Sequence, residues 1–175
     1  MYIGMERWAA IAPDKRYYDF LLGVADENKW DLAKAEYHAD DQAIGQLYLA
    51  LYDKFQSPHM LEKTLKRTTH ILENPSQQPM RLNNYKYTER WTWCDALFMA
   101  PPLWAKLANI TGNKQYRDYM FAEYVATTNH LYDTEEHLFY RDEHFIGVKE
   151  HGRKIFWSRG NGWVFAGLAL ILEDM

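Results

Sequence analysis

Asp95 sits in the stretch WTWCDALFMAPP, from Trp91 to Pro102, among Trp91, Trp93, Cys94, Leu97, Phe98 and Met99. A carboxylate in that company is costly to bury unless it is paired, hydrogen-bonded or protonated. Two uses fit it: capping the helix that follows, or proton chemistry with an environment-tuned pKa. An apolar wall raises a carboxyl pKa and a helix N-terminus lowers it, and a general acid needs the first effect to win. A second acidic pair, Asp40-Asp41, follows Tyr37-His38-Ala39 just before a helix. These acids either serve as N-cap and first-turn residues or place one carboxylate across a cleft from Asp95, the pairing that sugar hydrolysis commonly uses. In FWSRGNGW, Phe156 to Trp163, Arg159 lies between Trp157 and Trp163 in sequence. A guanidinium presented between two indoles suits a carboxylate-bearing sugar, through a bidentate ion pair and ring stacking. Gly160 and Gly162 are expected to let the backbone turn tightly there or approach a ligand closely.

The elements that must position these residues are helical. Apolar periodicity and breakers predict helices over 5–12, 15–30, 41–55 and 59–74. Residues 74–87 read as irregular, with Pro75 and Pro79 forbidding a long regular element. A helix is expected from Asp95 to Ile110, with Pro101-Pro102 kinking it or marking its true N-terminus. Another follows over 114–132, then loops or a short hairpin over 133–156 around Leu138-Phe139-Tyr140, then an apolar helix from Gly162 to Glu173. The motif K-x-Y-x-D-aromatic-aliphatic occurs at Lys15 to Leu21 and again at Lys114 to Met120, each time opening a helix after a turn. Gln56-Ser57-Pro58 marks a similar junction between them. The pattern predicts an all-α chain of helical hairpins of about 50 residues, stacked or closed into a ring.

Composition narrows the function classes. A net charge of -4 and a pI near 6.0 give no basic footprint for nucleic acid. No apolar run is long enough to span a membrane. The single cysteine, Cys94, excludes an intramolecular disulfide and a multi-cysteine metal site, and His38 beside two acids is only a weak metal signal. No metal or cofactor is expected. Aromatic residues make up 16% of the chain, a share that fits stacking on sugar rings and fits a large helical core equally. The N-terminus lacks the basic start and apolar core of a signal peptide, which leaves bacterial cytoplasm and periplasm both open. Oligomeric state is not legible.

Three segments in order, WTWCDALFMAPPLWAKLANITGNKQY, DTEEHLFYRDEHF and FWSRGNGWVFAGLALIL, resemble glycoside hydrolase family 105, the unsaturated rhamnogalacturonyl hydrolases, and the related family 88 unsaturated glucuronyl hydrolases. The resemblance implies an (α/α)6 toroid; residues 1–175 are expected to form one catalytic domain that is a partial barrel, ending inside helices at both termini. It implies a pectin-type, rhamnogalacturonan-like oligosaccharide with a terminal 4,5-unsaturated uronic acid, released by hydration of the double bond. Asp95 matches the family's acid/base and Asp40 its second carboxylate, with Asp41 the near alternative. Trp157, Arg159 and Trp163 match the uronate site, and Trp93 is placed with them. Two substrate-facing positions depart from the family's histidines: Asn84 stands at one and Arg141 at the other. The competing expectation is a non-catalytic helical-repeat protein that binds carbohydrate or a partner through the aromatic cleft.

Overall fold

In a computed structural model, residues 1–81 and 89–175 are described. The expected irregular stretch therefore falls partly outside the described residues, and so does Asn84. The described chain forms helices α1 (Tyr2–Ile11), α2 (Arg16–Glu27), α3 (Ala39–Gln42), α4 (Gly45–Phe55), α5 (His59–Glu73), α6 (Ala96–Met99), α7 (Pro101–Thr111), α8 (Gln115–Leu131) and α9 (Ser158–Glu173). Two small antiparallel hairpins precede α9: β1 (Tyr132–Asp133) with β2 (Leu138–Phe139), and β3 (Lys149–Glu150) with β4 (Arg153–Lys154).

The repeat read from the sequence marks structurally equivalent places. Lys15 and Lys114 occupy the N-cap positions of α2 and α8, and Leu21 and Met120 are both buried in the second turn that follows. Hairpins α1–α2, α4–α5 and α7–α8 result, and α1, α4, α7 and α9 pack in succession as one row. Two core clusters follow from this arrangement. One gathers around Leu21, Leu47, Tyr48 and Leu51, the other around Trp91, Leu97, Leu103, Trp104 and Leu107.

Two expected helices are divided. The 41–55 segment splits into α3 and α4, and the buried Gln42 at the break accepts a 2.8 Å hydrogen bond from Trp104 Nε1. Near Asp95, α6 is a single turn; the chain breaks at Ala100 and α7 starts at Pro101. The prolines withhold the amides that would have bonded the carbonyls of Leu97 and Phe98. Gln46 substitutes in part, its side-chain amide donating to Phe98 O and Met99 O at 2.8 Å each. The proline pair thus does both expected jobs, breaking one element and starting the next.

The last helix corrects the reading of FWSRGNGW. Helix α9 begins at Ser158, so Gly160 and Gly162 lie inside it and form no tight turn. Gly160 is needed for close packing: a Cβ there would lie 2.3 Å from the Trp157 ring and 2.7 Å from Cys94 Sγ. Two turns on, a Cβ at Gly167 would lie 2.3 Å from Leu97 O. The two glycines let α9 press its backbone onto α6, which brings Trp157 and Arg159 close to the segment bearing Asp95.

Candidate active site

Asp95 occupies the N-cap position of α6, yet its side chain makes no capping hydrogen bond. The segment before it is fixed from two sides. Thr127 Oγ1 on α8 donates to Trp91 O at 2.6 Å, and Cys94 N donates to Arg141 O at 2.9 Å. Asp95 is half-buried in the wall of a cavity of ≈ 290 Å³ that His38, Asp40, Arg90, Thr92 and Trp93 also line. Burial, and next the charge of Asp40, push its carboxyl up to about 6, against the weaker downward pull of its own amide, that of Ala96 and the His38 ring. Desolvation therefore wins over the helix end, which is the balance a proton donor requires.

The acidic pair separates by role. Asp40 lines the cavity, and its carboxylate has no hydrogen bond or ion pair among the described residues. Asp41 is committed elsewhere: Oδ2 accepts from Ala35 N at 2.6 Å and Oδ1 lies 3.4 Å from His38 Nδ1. It fastens the turn that carries Asp40 and does not line the cavity. Arg90 was not singled out from sequence, but its guanidinium reaches the same wall, held by Glu123 at 2.6 Å and by Gln78 O at 3.2 Å. Its signal in the sequence was only adjacency to WTWCD, since Glu123 is brought to it by α8.

Trp93 also lines a second cavity, of ≈ 400 Å³, with Arg141, Phe145, Phe156, Trp157 and Arg159. The arginine clamped between two rings is Arg141, not Arg159. Its guanidinium lies 4.5 Å from the Trp93 ring centre and 4.4 Å from that of Phe145. Nε of Arg141 donates at 2.7 Å to Asp142, which is fully buried and also accepts from His144 N at 2.9 Å. Arg159 stacks on Trp157 alone, at 5.1 Å, because both stand at the start of α9. Trp163 lies a turn further along, its ring 4.6 Å from Phe98, and lines neither cavity. Asn161, in the same motif, has a supporting part that sequence reasoning missed. Its amide accepts from Phe139 N at 2.8 Å and donates to Phe139 O at 2.9 Å, docking the first hairpin on α9. Asp133 joins that hairpin to the second, accepting from Tyr140 Oη and Lys154 Nζ, and Lys154 with these bonds holds its carboxyl below the usual range. Cys94, fully buried, has its thiol pushed up to about 12 by burial and is an inert packing group.

Among the described residues, no three His, Cys, Asp or Glu side chains gather in a way that could hold a metal ion. No helix there is long and apolar enough to cross a membrane.

Residues 1–175, the whole length, match the family model of Glycosyl Hydrolase Family 88. The chain belongs to that family. It is 41% identical over 185 residues to an unsaturated 3S-rhamnoglycuronyl hydrolase of Formosa agariphila, covering 99% of this chain and 49% of that protein. A protein of the same name from Alteromonas sp. is 34% identical over 187 residues, with 99% and 45% covered. The chain thus spans about half the length of the curated relatives it matches. Among solved structures, one described as a polysaccharide lyase superposes with a TM-score of 0.86 at 28% identity, and a family 88 hydrolase from Bacteroides vulgatus with 0.84 at 25%. They align over 99% of this chain and 51% and 53% of theirs. A family 105 structure from C. acetobutylicum, at 0.74 and 19% identity over 99% of this chain and 52% of its own, shares the fold. The kinship to family 88 and the helical toroid architecture implied by the resemblance are both borne out, and the family 105 structure shares that fold.

Proposed function

We propose that this chain carries the proton-donating site of a hydrolase acting on oligosaccharides that end in a 4,5-unsaturated uronic acid. One observation carries the reading: Asp95 is a half-buried, uncapped carboxyl raised to about 6, and it shares its cavity with the carboxylate of Asp40, which has no partner among the described residues. A carboxyl of that kind is a competent proton donor near neutral pH. The double bond of the substrate is an enol ether, polarised so that C4 is the basic carbon. Asp95 gives its proton to C4 and the electron pair of the double bond moves to form the C4–H bond. The cation left at C5 is shared with the ring oxygen. Water bonds to C5 and loses a proton to a carboxylate, with Asp40 beside Asp95 to receive it. The resulting hemiketal opens at the C5–ring oxygen bond, and the hemiacetal formed at C1 then releases the linked sugar. The glycosidic carbon is never attacked directly.

Arg159, backed by Trp157, is the partner for the uronate carboxylate, and Trp93, common to both cavities, is the platform under the reacting ring. Asp41 supports the site through the turn at Ala35, and Arg141 lines it. The name of the relatives and the rhamnogalacturonan-type expectation share a uronyl–rhamnose linkage, and we place rhamnose as the sugar released. A test follows the ultraviolet absorbance of the conjugated double bond in heavy water. Wild type removes the absorbance and leaves deuterium at C4, whereas Asp95→Asn leaves the absorbance unchanged. Undiminished turnover by that variant, or a product without deuterium at C4, contradicts the reading.

A further inference from the structure

Thr92 stands three residues before Asp95 and lines the same ≈ 290 Å³ cavity. It is 3% exposed, and its hydroxyl Oγ1 has no hydrogen-bond partner among the described residues. A hydroxyl buried in that state loses its hydration and regains nothing for it. Two other buried orphans, Thr64 Oγ1 and Tyr124 Oη, do not line this cavity. The backbone on either side of Thr92 is pinned. Its own amide donates to Arg90 O at 2.8 Å, Trp91 O accepts from Thr127, and Cys94 N is tied to Arg141 O.

The other polar groups of the cavity divide into committed and uncommitted. Arg90 is taken by Glu123 and by Gln78 O, and His38 lies 3.4 Å from Asp41. Asp40 has no hydrogen bond or ion pair among the described residues. A hydroxyl and a carboxylate are therefore left facing one polar space beside the proton donor. A water held in a protein interior makes about three hydrogen bonds, chiefly to groups otherwise unsatisfied. Thr92 and Asp40 supply two such partners.

The water that adds to C5 needs that pairing. One of its hydrogens must point at the carboxylate that takes it, here Asp40. The other must be held elsewhere, so that an oxygen lone pair faces the carbon. A charged acceptor in that place would compete for the proton, whereas a threonine hydroxyl accepts the hydrogen bond and leaves the proton on the water. Branching at Cβ also restricts the side chain to few rotamers, so the acceptor is preset.

We propose that Thr92 seats the attacking water: Oγ1 accepts one hydrogen of a water whose other hydrogen is given to Asp40, which aims the oxygen at C5 of the unsaturated ring. In the addition the water's lone pair forms the C5–O bond. The O–H bond directed at Asp40 breaks and its proton passes to that carboxylate, while the hydrogen on Thr92 stays with the new hydroxyl group. The inference rests on the unsaturated-uronyl reading of the site.

Two variants and one structure test it. Thr92→Val keeps the shape and removes the acceptor; Thr92→Ser keeps the acceptor. With an unsaturated uronyl-rhamnose disaccharide, Thr92→Val is expected to lower kcat by about 10- to 100-fold, the scale of a misplaced reactant, with KM within about 3-fold. Thr92→Ser should return kcat to within about 3-fold of wild type. A high-resolution crystal structure of the wild-type protein should show an ordered water about 3.2 Å or less from both Thr92 Oγ1 and an Asp40 carboxylate oxygen. Its absence overturns the inference, even if no variant folds. So does an unchanged kcat in Thr92→Val, or a rise in KM alone, which would assign the hydroxyl to the sugar. A loss that Thr92→Ser fails to restore is structural and overturns it as well. Should wild type turn over no unsaturated uronide, the uronyl reading fails by itself. The crystal structure then decides for Thr92: a water shared with Asp40 sustains the seat, and none ends it.

Discussion

Trp93 lines two cavities of opposite character, and the charges in each are held by opposite means. In the acidic cavity the important groups are left unsatisfied. Among the described residues Asp95 gets no cap and Asp40 no partner, so burial and mutual repulsion set the proton affinity of Asp95. In the arginine cavity the cations are fixed: Arg141 by two rings and a buried carboxylate, Arg159 by Trp157. The first arrangement costs stability and gives reactivity; the second gives geometry. Proton transfer should therefore depend on the acidic cavity, and substrate affinity on the arginine cavity.

The largest effect that would break this division belongs to Asp95. Asp95→Asn is expected to lower kcat by about 100- to 10,000-fold, the range for removing a general acid, while disaccharide affinity by calorimetry stays within about 3-fold. Arg159→Gln should do the reverse, raising KM by about 10- to 100-fold, the loss of a charge-assisted pair, with the pH dependence of kcat/KM retained. If that variant moved the pH profile instead, the two cavities would not be separable. Asp40→Asn removes the second-largest upward influence on Asp95. Its activity should fall already at a lower pH than that of wild type, whose kcat/KM declines as pH rises through about 6.

Smaller effects sharpen the comparison through stability. Gly167→Ala, which drives a methyl group into Leu97 O, is expected to cost about 1–3 kcal/mol in denaturant unfolding by overpacking α9 on α6. Asp95 adds a pH-dependent term whose sign is fixed by its shift. Its carboxyl binds a proton more tightly when folded, at about 6 against an ordinary 3.8. The stability it contributes is thus present below about 4 and is lost as pH rises through about 6. Asp95→Asn should melt higher than wild type above that range, and the difference should shrink in acid.

Much of this was legible in the sequence where the cause is local. The helical spacing of apolar residues marks the helices, and the proline pair marks a helix boundary through backbone preferences that hold in any context. Asp95 stood out because its own neighbours are apolar. What escaped depended on distant partners. Gly160 reads as a turn residue until Cys94 is found against it, and the break at Ala43 makes sense only with Trp104 bonded to Gln42. The clamp on Arg141 needs Phe145, brought round by the turn of Glu143–Phe145, so the aromatic-arginine pattern was assigned to Arg159. Asp40 and Asp41 could be told apart only once the turn at Ala35 was seen to consume one of them.

The most direct test is a carboxyl-carbon NMR titration of Asp95 in wild type and in Asp40→Asn. The account predicts a midpoint near 6 in wild type, moved toward 3.8 when Asp40 loses its charge. A wild-type midpoint at the ordinary value, or one that Asp40→Asn leaves in place, would contradict it.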